Sequence, residues 1–155
     1  MFGAKATEHV CLDANCLISG VASPNNAPGR ILRNFAAGRL RLVTCPEIEQ
    51  EYYELASKPS VRALFHRRGI DTSELDFMID DLLLICRRVA LVGTAPSCRD
   101  EDDRKYLHCA QVGGVFWLVT RDQALLELDT VGETRVLTPE KFLLEVEGLG
   151  ITLSA

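Results

Sequence analysis

Short runs rich in β-branched residues recur along this chain, separated by stretches long enough for helices, and that alternation narrows its fold more than any other feature. HVCLDA (9–14) reads as a buried strand that ends at an aspartate, and RLVTC (41–45), RVALVG (88–93), GVFWLVT (114–120) and RVLT (135–138) read as further strands. Between them, a loop from Ser23 to Gly29 leads into a helix near 29–38, and Pro46 opens another that runs to about Ser57. Helices over 60–68 and 73–87 follow, with Gly69 as the breaker between them. DEDDRKYLHCA begins an acidic helix, QALLEL a short one, and PEKFLLEVEG the last. Strands that alternate with helices predict an α/β fold, a single-domain parallel sheet flanked by helices on both faces. The expected domain spans 9–148, with an N-terminal extension over 1–8 and a tail over 149–155.

Composition sets the class. At 155 residues, 47% hydrophobic and 25% charged, the chain has the make-up of one globular domain with one substantial core. No apolar run approaches the roughly 18–20 residues that cross a bilayer, so no membrane partner is expected. MFGAKATEH lacks the apolar centre of a signal peptide, and the expected location is the cytoplasm. Six cysteines form no Cys-x-x-Cys pair, and most lie inside apolar runs, where they read as small buried hydrophobes.

Two of the predicted strands end at acids. Asp13 closes the first, and Asp122 follows FWLVT. Ligands of open α/β sheets bind at the carboxyl ends of the strands, near the point where strand order reverses. On the second helix, Glu51 has Ile48 three residues before it and Leu55 four after, beside the buried stripe, whereas Glu54 should face water. Asp103 has Leu107 and Ala110 on its own face, in the first turn of the acidic helix. Each acid has a plainer role open to it. Asp13 could end a strand, Asp122 could cap a helix, and Asp100, Glu101, Asp102 and Asp103 could complement a helix dipole. Four acids converging on one edge would repel one another by roughly 4 kcal/mol per pair at 4 Å and an effective dielectric near 20. Such a cluster calls for protons or divalent cations, and oxygen-only donors favour Mg²⁺ or Mn²⁺.

The chain resembles the PIN domain family, and within it the bacterial toxin-component group. The likeness runs from His9 to Gly148 and rests on VCLDANCLISG (10–20), SPNNAP (23–28), PEIEQE (46–51), DEDDRKYL (100–107), LVTRDQALL (118–126) and VLTPEKFL (136–143), in that order. It implies a Rossmann-related three-layer sheet and cleavage of single-stranded or structured RNA with one or two Mg²⁺ or Mn²⁺ ions. It places the family's acids on Asp13, Glu51, Asp103 and Asp122, as catalytic and metal-binding residues, with Asn15, Thr120 and Asp100 in support. Asp102 is the alternative to Asp103. It also implies an antitoxin protein and a homodimer as partners.

The net charge of −5 runs against a nucleic-acid partner, but setting aside four carboxylates committed to cations leaves −1 elsewhere. Thirteen of the 17 basic residues are arginines, whose planar fork suits phosphate. Arg62, Arg67 and Arg68, with Arg30 and Arg33 on the first helix, are expected to form a phosphate clamp beside the acids, a solvated basic face being the alternative. Two other functions compete, a PIN-like module that binds nucleic acid without cutting it and a phosphotransfer protein. The latter lacks an Asp-x-Asp in LDANCLI and a lysine after a late strand.

Overall fold

A computed structural model describes residues 8–155, so all but Glu8 of the expected N-terminal extension lies outside the described residues. Within them lie strands β1 (His9–Leu12), β2 (Arg41–Thr44), β3 (Arg87–Arg88), β4 (Trp117–Val119), β5 (Thr130–Val131) and β6 (Thr134–Leu137). The helices are α1 (Ala14–Ala22), α2 (Ala27–Ala36), α3 (Pro46–Ala56), α4 (Pro59–Arg67), α5 (Thr72–Leu84), α6 (Glu101–Gly113), α7 (Gln123–Leu126) and α8 (Pro139–Gly148). The strands form one sheet in the order β3-β2-β1-β4-β6-β5, parallel except where β5 meets β6. The α/β architecture expected from the alternation is present.

β1 is central. It pairs with β2 on one side and, through Val10–Trp117, Cys11–Leu118 and Leu12–Val119, with β4 on the other. The chain therefore leaves β1 toward one edge and later returns to its opposite side. Right-handed crossovers send those two connections to opposite faces of the sheet and leave a crevice beyond the carboxyl ends of β1 and β4. Strand residues on both faces are apolar and buried, as a doubly covered parallel sheet requires: Val10, Cys11, Leu12, Leu42, Val43, Trp117, Leu118 and Val119. Trp117 packs edge-on against Phe142 of α8, their ring centres 5.4 Å apart.

Three local differences from the sequence expectation have physical causes. α1 was not anticipated, because ANCLISGVA is buried at seven of its nine positions and shows no polar face to mark a helical period. β3 shrinks from the expected 88–93 to Arg87–Arg88, since this edge strand has only β2 to pair with and Val92 lies exposed beyond it. Thr130–Val131 forms a strand because Gly132, with φ of 59°, permits a two-residue turn back into β6. The expected tail is docked: the Ser154 N–H donates to Asn34 Oδ1, and its carbonyl accepts from Asn34 Nδ2 and Arg30 Nε.

α1 and α2 approach closely through glycine. A Cβ on Gly29 would lie 2.4 Å from the carbonyl oxygens of Ser23 and Pro24, and one on Gly20 would lie 2.9 Å from the backbone of Pro28. Gly29→Ala would gain about 1 kcal/mol of helix propensity. Forcing apart backbone that cannot rotate away costs about 1–3 kcal/mol, so the net sign is destabilising. The expected result is a melting temperature lower by a few degrees. An unchanged or raised value would show that the α1–α2 junction yields without cost.

Candidate active site

The turn from β1 into α1 is held by partners from three other elements. The Leu12 carbonyl accepts from the Tyr52 hydroxyl at 2.6 Å, and the Asp13 N–H donates to the Val119 carbonyl at 3.1 Å. The Ala14 N–H donates to the Tyr106 hydroxyl at 3.1 Å. Asp13, only 6% exposed, caps α1 by accepting the Asn15 N–H at 2.7 Å, and its other oxygen accepts from Thr120 Oγ1 at 2.6 Å. The same Thr120 hydroxyl accepts the Asp122 N–H at 2.9 Å, and Asp122 in turn caps α7 through the Leu125 N–H. Thr120 thereby ties the first acid to the last.

Asp13 and Asp122 line one cavity of about 380 Å³ with Asn15, Glu51, Glu54, Asp100, Asp102, Asp103, Lys105 and Tyr106. All four acids singled out in the sequence are thus brought together, with the supporting Asn15 and Asp100. Glu54, expected to face water, is exposed but also lines the cavity. The plainer roles hold at the same time, for Asp13, Asp100 and Asp122 are each the N-cap of a helix. Asp103 and Asp102 separate by burial: Asp103 is 9% exposed, whereas Asp102 is exposed.

None of the arginines expected to form a phosphate clamp is among the residues lining the cavity. Arg30 binds Glu147 and the Ser154 carbonyl, Arg62 binds the Ser57 carbonyl, and Arg68 binds the Ala22 carbonyl and Ser23. Arg33 lines a separate groove with Met78 and Ile85, and Arg67 is exposed in the last turn of α4. Elsewhere arginine forks clip carboxylates, as in Arg88–Glu49, Arg121–Glu140 and Arg135–Glu145. The cation at the site is Lys105, with Nζ 2.5 Å from Glu51 Oε1. Lys105, Tyr52 and Tyr106 were missed in the sequence. The available signal was their position beside Glu51 and Asp103, together with the need of any buried tyrosine for a hydroxyl partner.

The charges are crowded. Burial raises the Asp13 carboxyl above its ordinary range, opposed by its hydrogen bonds from Thr120 and Asn15. Burial, then the charges of Asp122, Asp100, Asp13 and Glu51, push Asp103 up to about 6. Asp103 Oδ2 is buried without a hydrogen-bond partner among the described residues. An orphaned carboxylate oxygen is costly unless a proton or cation takes it, so the residues fit a hard divalent ion. Among the described residues, no three His, Cys, Asp or Glu side chains stand close enough to close around one ion. Asp13, Asp100 and Asp122 are drawn toward their caps and Glu51 toward Lys105 and Tyr106. That spacing is compatible with Mg²⁺, which keeps several waters and takes only one or two protein carboxylates.

Two outcomes follow. The Asp103 pKa is higher in the folded chain than its ordinary 3.8, so the native state binds the extra proton between about 4 and about 6. The associated stability is complete below that window and lost as pH rises through it. In metal-free buffer, the melting temperature of Asp103→Asn relative to wild type should therefore rise as pH goes from about 4 to about 6. A difference independent of pH would remove the charge crowding at Asp103. Tyr106→Phe strips a partner from the Ala14 N–H and from Glu51. It should cost about 1–3 kcal/mol in denaturant unfolding, and a loss below about 0.5 kcal/mol would mean that the turn does not depend on this hydroxyl.

Comparison with known proteins agrees with the geometry. The chain is 25% identical over 150 residues to an uncharacterized protein of Methanocaldococcus jannaschii, covering 89% of this chain and 91% of that one. No described helix is long and apolar enough to cross a membrane. Residues 9–124 match the PIN domain family, a span that runs from β1 through Asp13, Glu51, Asp103 and Asp122 to the start of α7. The chain belongs to the PIN domain family, whose members are generally nucleases.

Proposed function

We propose that this chain is a metal-dependent ribonuclease that hydrolyses phosphodiester bonds of single-stranded or structured RNA. The observation that carries this reading is the orphaned, buried Asp103 oxygen among the carboxylates lining one cavity at the carboxyl edge of β1 and β4. Asp13, Glu51, Asp103 and Asp122 would supply the oxygen donors, directly or through the waters the ion keeps, for one or two Mg²⁺ or Mn²⁺ ions. When bound, the cation supplies a water of lowered pKa and positive charge for the phosphate oxygens. The chain's own part is positional. Thr120 and the Asn15 N–H hold Asp13 in one orientation, and the α7 N-terminus does the same for Asp122. No histidine is needed as a base, and none lines the cavity; His108 is buried against the Val92 carbonyl.

The partner proposed with this activity is an antitoxin protein. Its support is the resemblance to toxin components in VCLDANCLISG, DEDDRKYL and LVTRDQALL.

Cleavage of single-stranded RNA by the purified chain, with circular dichroism to confirm folding, tests the activity. Wild type should cut with Mg²⁺ or Mn²⁺ and stop in excess EDTA. Asp13→Asn and Asp103→Asn should fold and lose at least about 10²-fold in rate, the scale of removing one transition-state charge stabiliser. Asp102→Asn should keep most of its activity. Cleavage that persists in EDTA, or an Asp13→Asn chain as active as wild type, would sink the mechanism. RNA bound with metal but never cut would move the chain to the binding-module reading.

A further inference from the structure

Lys105 is the only Lys or Arg among the residues lining the acidic cavity. Its ammonium lies 2.5 Å from Glu51 Oε1 and 5.7 Å above the Tyr106 ring centre, and its side chain is 23% exposed. Glu51 Oε2 accepts from the Tyr106 hydroxyl at 2.5 Å. Both oxygens of Glu51 therefore have strong donors already, one of them cationic. Asp103 stands in contrast, with Oδ2 buried and unpartnered among the described residues.

The cavity is thus divided. On one side an internal ammonium neutralises Glu51. On the other, Asp13 is held by a helix N-terminus and a hydroxyl and Asp122 by a helix N-terminus, Asp103 Oδ2 has no partner, and no cation is in contact with these three among the described residues. A compact ammonium on a flexible stem is a point charge able to occupy the place of a metal ion, and it repels any second dication that approaches the same carboxylate. The Tyr106 ring beneath Lys105 adds a cation–π contact that favours keeping it there.

We propose, resting on the metal-dependent reading above, that Lys105 stands in for a second divalent cation. This narrows that reading to one ion, on the side of Asp13, Asp103 and Asp122, and takes Glu51 out of the donor set, as the counter-ion of Lys105 rather than a metal ligand. In the reaction the ammonium would supply fixed positive charge for the phosphate, the part that a second metal would otherwise play. Lys105 is by this reading a substrate-side positioning charge, and Tyr106 holds its counter-ion in register.

Mn²⁺ binding to the full chain without RNA, by calorimetry and by the electron paramagnetic resonance of free Mn²⁺, separates the possibilities. Wild type should bind one Mn²⁺ per chain. Lys105→Met, folded by circular dichroism, should bind a second, because Glu51 is left with a free anionic oxygen. Lys105→Arg should return to one. The double variant Glu51→Gln/Lys105→Met removes both charges of the pair at once and gives an independent measurement should Lys105→Met alone fail to fold. It should leave the affinity for the single ion within about threefold, whereas loss of a true ligand would cost at least the roughly tenfold that even an outer-shell partner does. A wild type that binds two ions, a folded Lys105→Met that still binds one, or a folded double variant weakened about tenfold would each overturn the role of Lys105. A wild type that binds no Mn²⁺ would instead overturn the metal reading on which it rests.

Discussion

Three consecutive residues at the end of β1 have their backbone groups committed to three different elements. The Leu12 carbonyl takes Tyr52 of α3, the Asp13 N–H reaches Val119 of β4, and the Ala14 N–H reaches Tyr106 of α6. A strand that becomes a helix within one residue leaves polar backbone groups that neither ladder can satisfy, and in a buried turn each would cost a hydrogen bond. The two tyrosines meet that need from opposite directions. Because Tyr52 adjoins Glu51 and Tyr106 lies one helical turn after Asp103, the contacts that complete the turn also deliver the second and third acids to the first. The site is assembled by the same hydrogen bonds that let β1 end where it does.

Charge is the opposing force. The carboxylates raise each other's cost, and the chain limits that cost with local donors. Asp13, Asp100 and Asp122 each give one oxygen to the N–H groups opening a helix, where the helix dipole favours an anion. Glu51 has an ammonium and a phenol. Asp103 is the one among them with a buried oxygen that has no partner among the described residues, and burial followed by the neighbouring charges raises its pKa. Under the proposed function this residual frustration is what draws in a cation. The arginines, which composition made the natural candidates for phosphate contact, are largely spent on carboxylates and carbonyls remote from the cavity lining. Arg88–Glu49 and Arg121–Glu140 are two such clips.

What could be read from the residues, and what could not, divides along periodicity. The parallel sheet, the crevice at its carboxyl edge and the four acids follow from patterns local in sequence: apolar runs ending at Asp13 and before Asp122, and the helical spacing around Glu51 and Asp103. α1 escaped notice because a helix buried on nearly every side has no polar stripe to reveal its turn, and because Asp13 looks like the end of a strand while it starts a helix. Lys105 and the tyrosines escaped because their importance lies in partners 40 to 92 positions distant. Tyr52 meets Leu12 and Tyr106 meets Ala14, and spacing along the chain cannot express such pairings. The places of the expected clamp arginines were hidden for the same reason, since the sequence marks a positive charge but not the carbonyl or carboxylate that holds it.

Three site aspartates double as helix caps, and this bears on how the fold ages. Under the proposed function, a descendant that gave up catalysis would still need Asp13, Asp100 and Asp122, or another capping side chain, to begin α1, α6 and α7. Asp103 caps nothing, and its buried charge weighs against folding, so on that reading only the chemistry would hold it in place. In a lineage of such chains, drift should therefore reach Asp103 first. The survival of the strand-end aspartates would attest only to architecture, and an intact Asp103 would be the sign of an enzyme still at work.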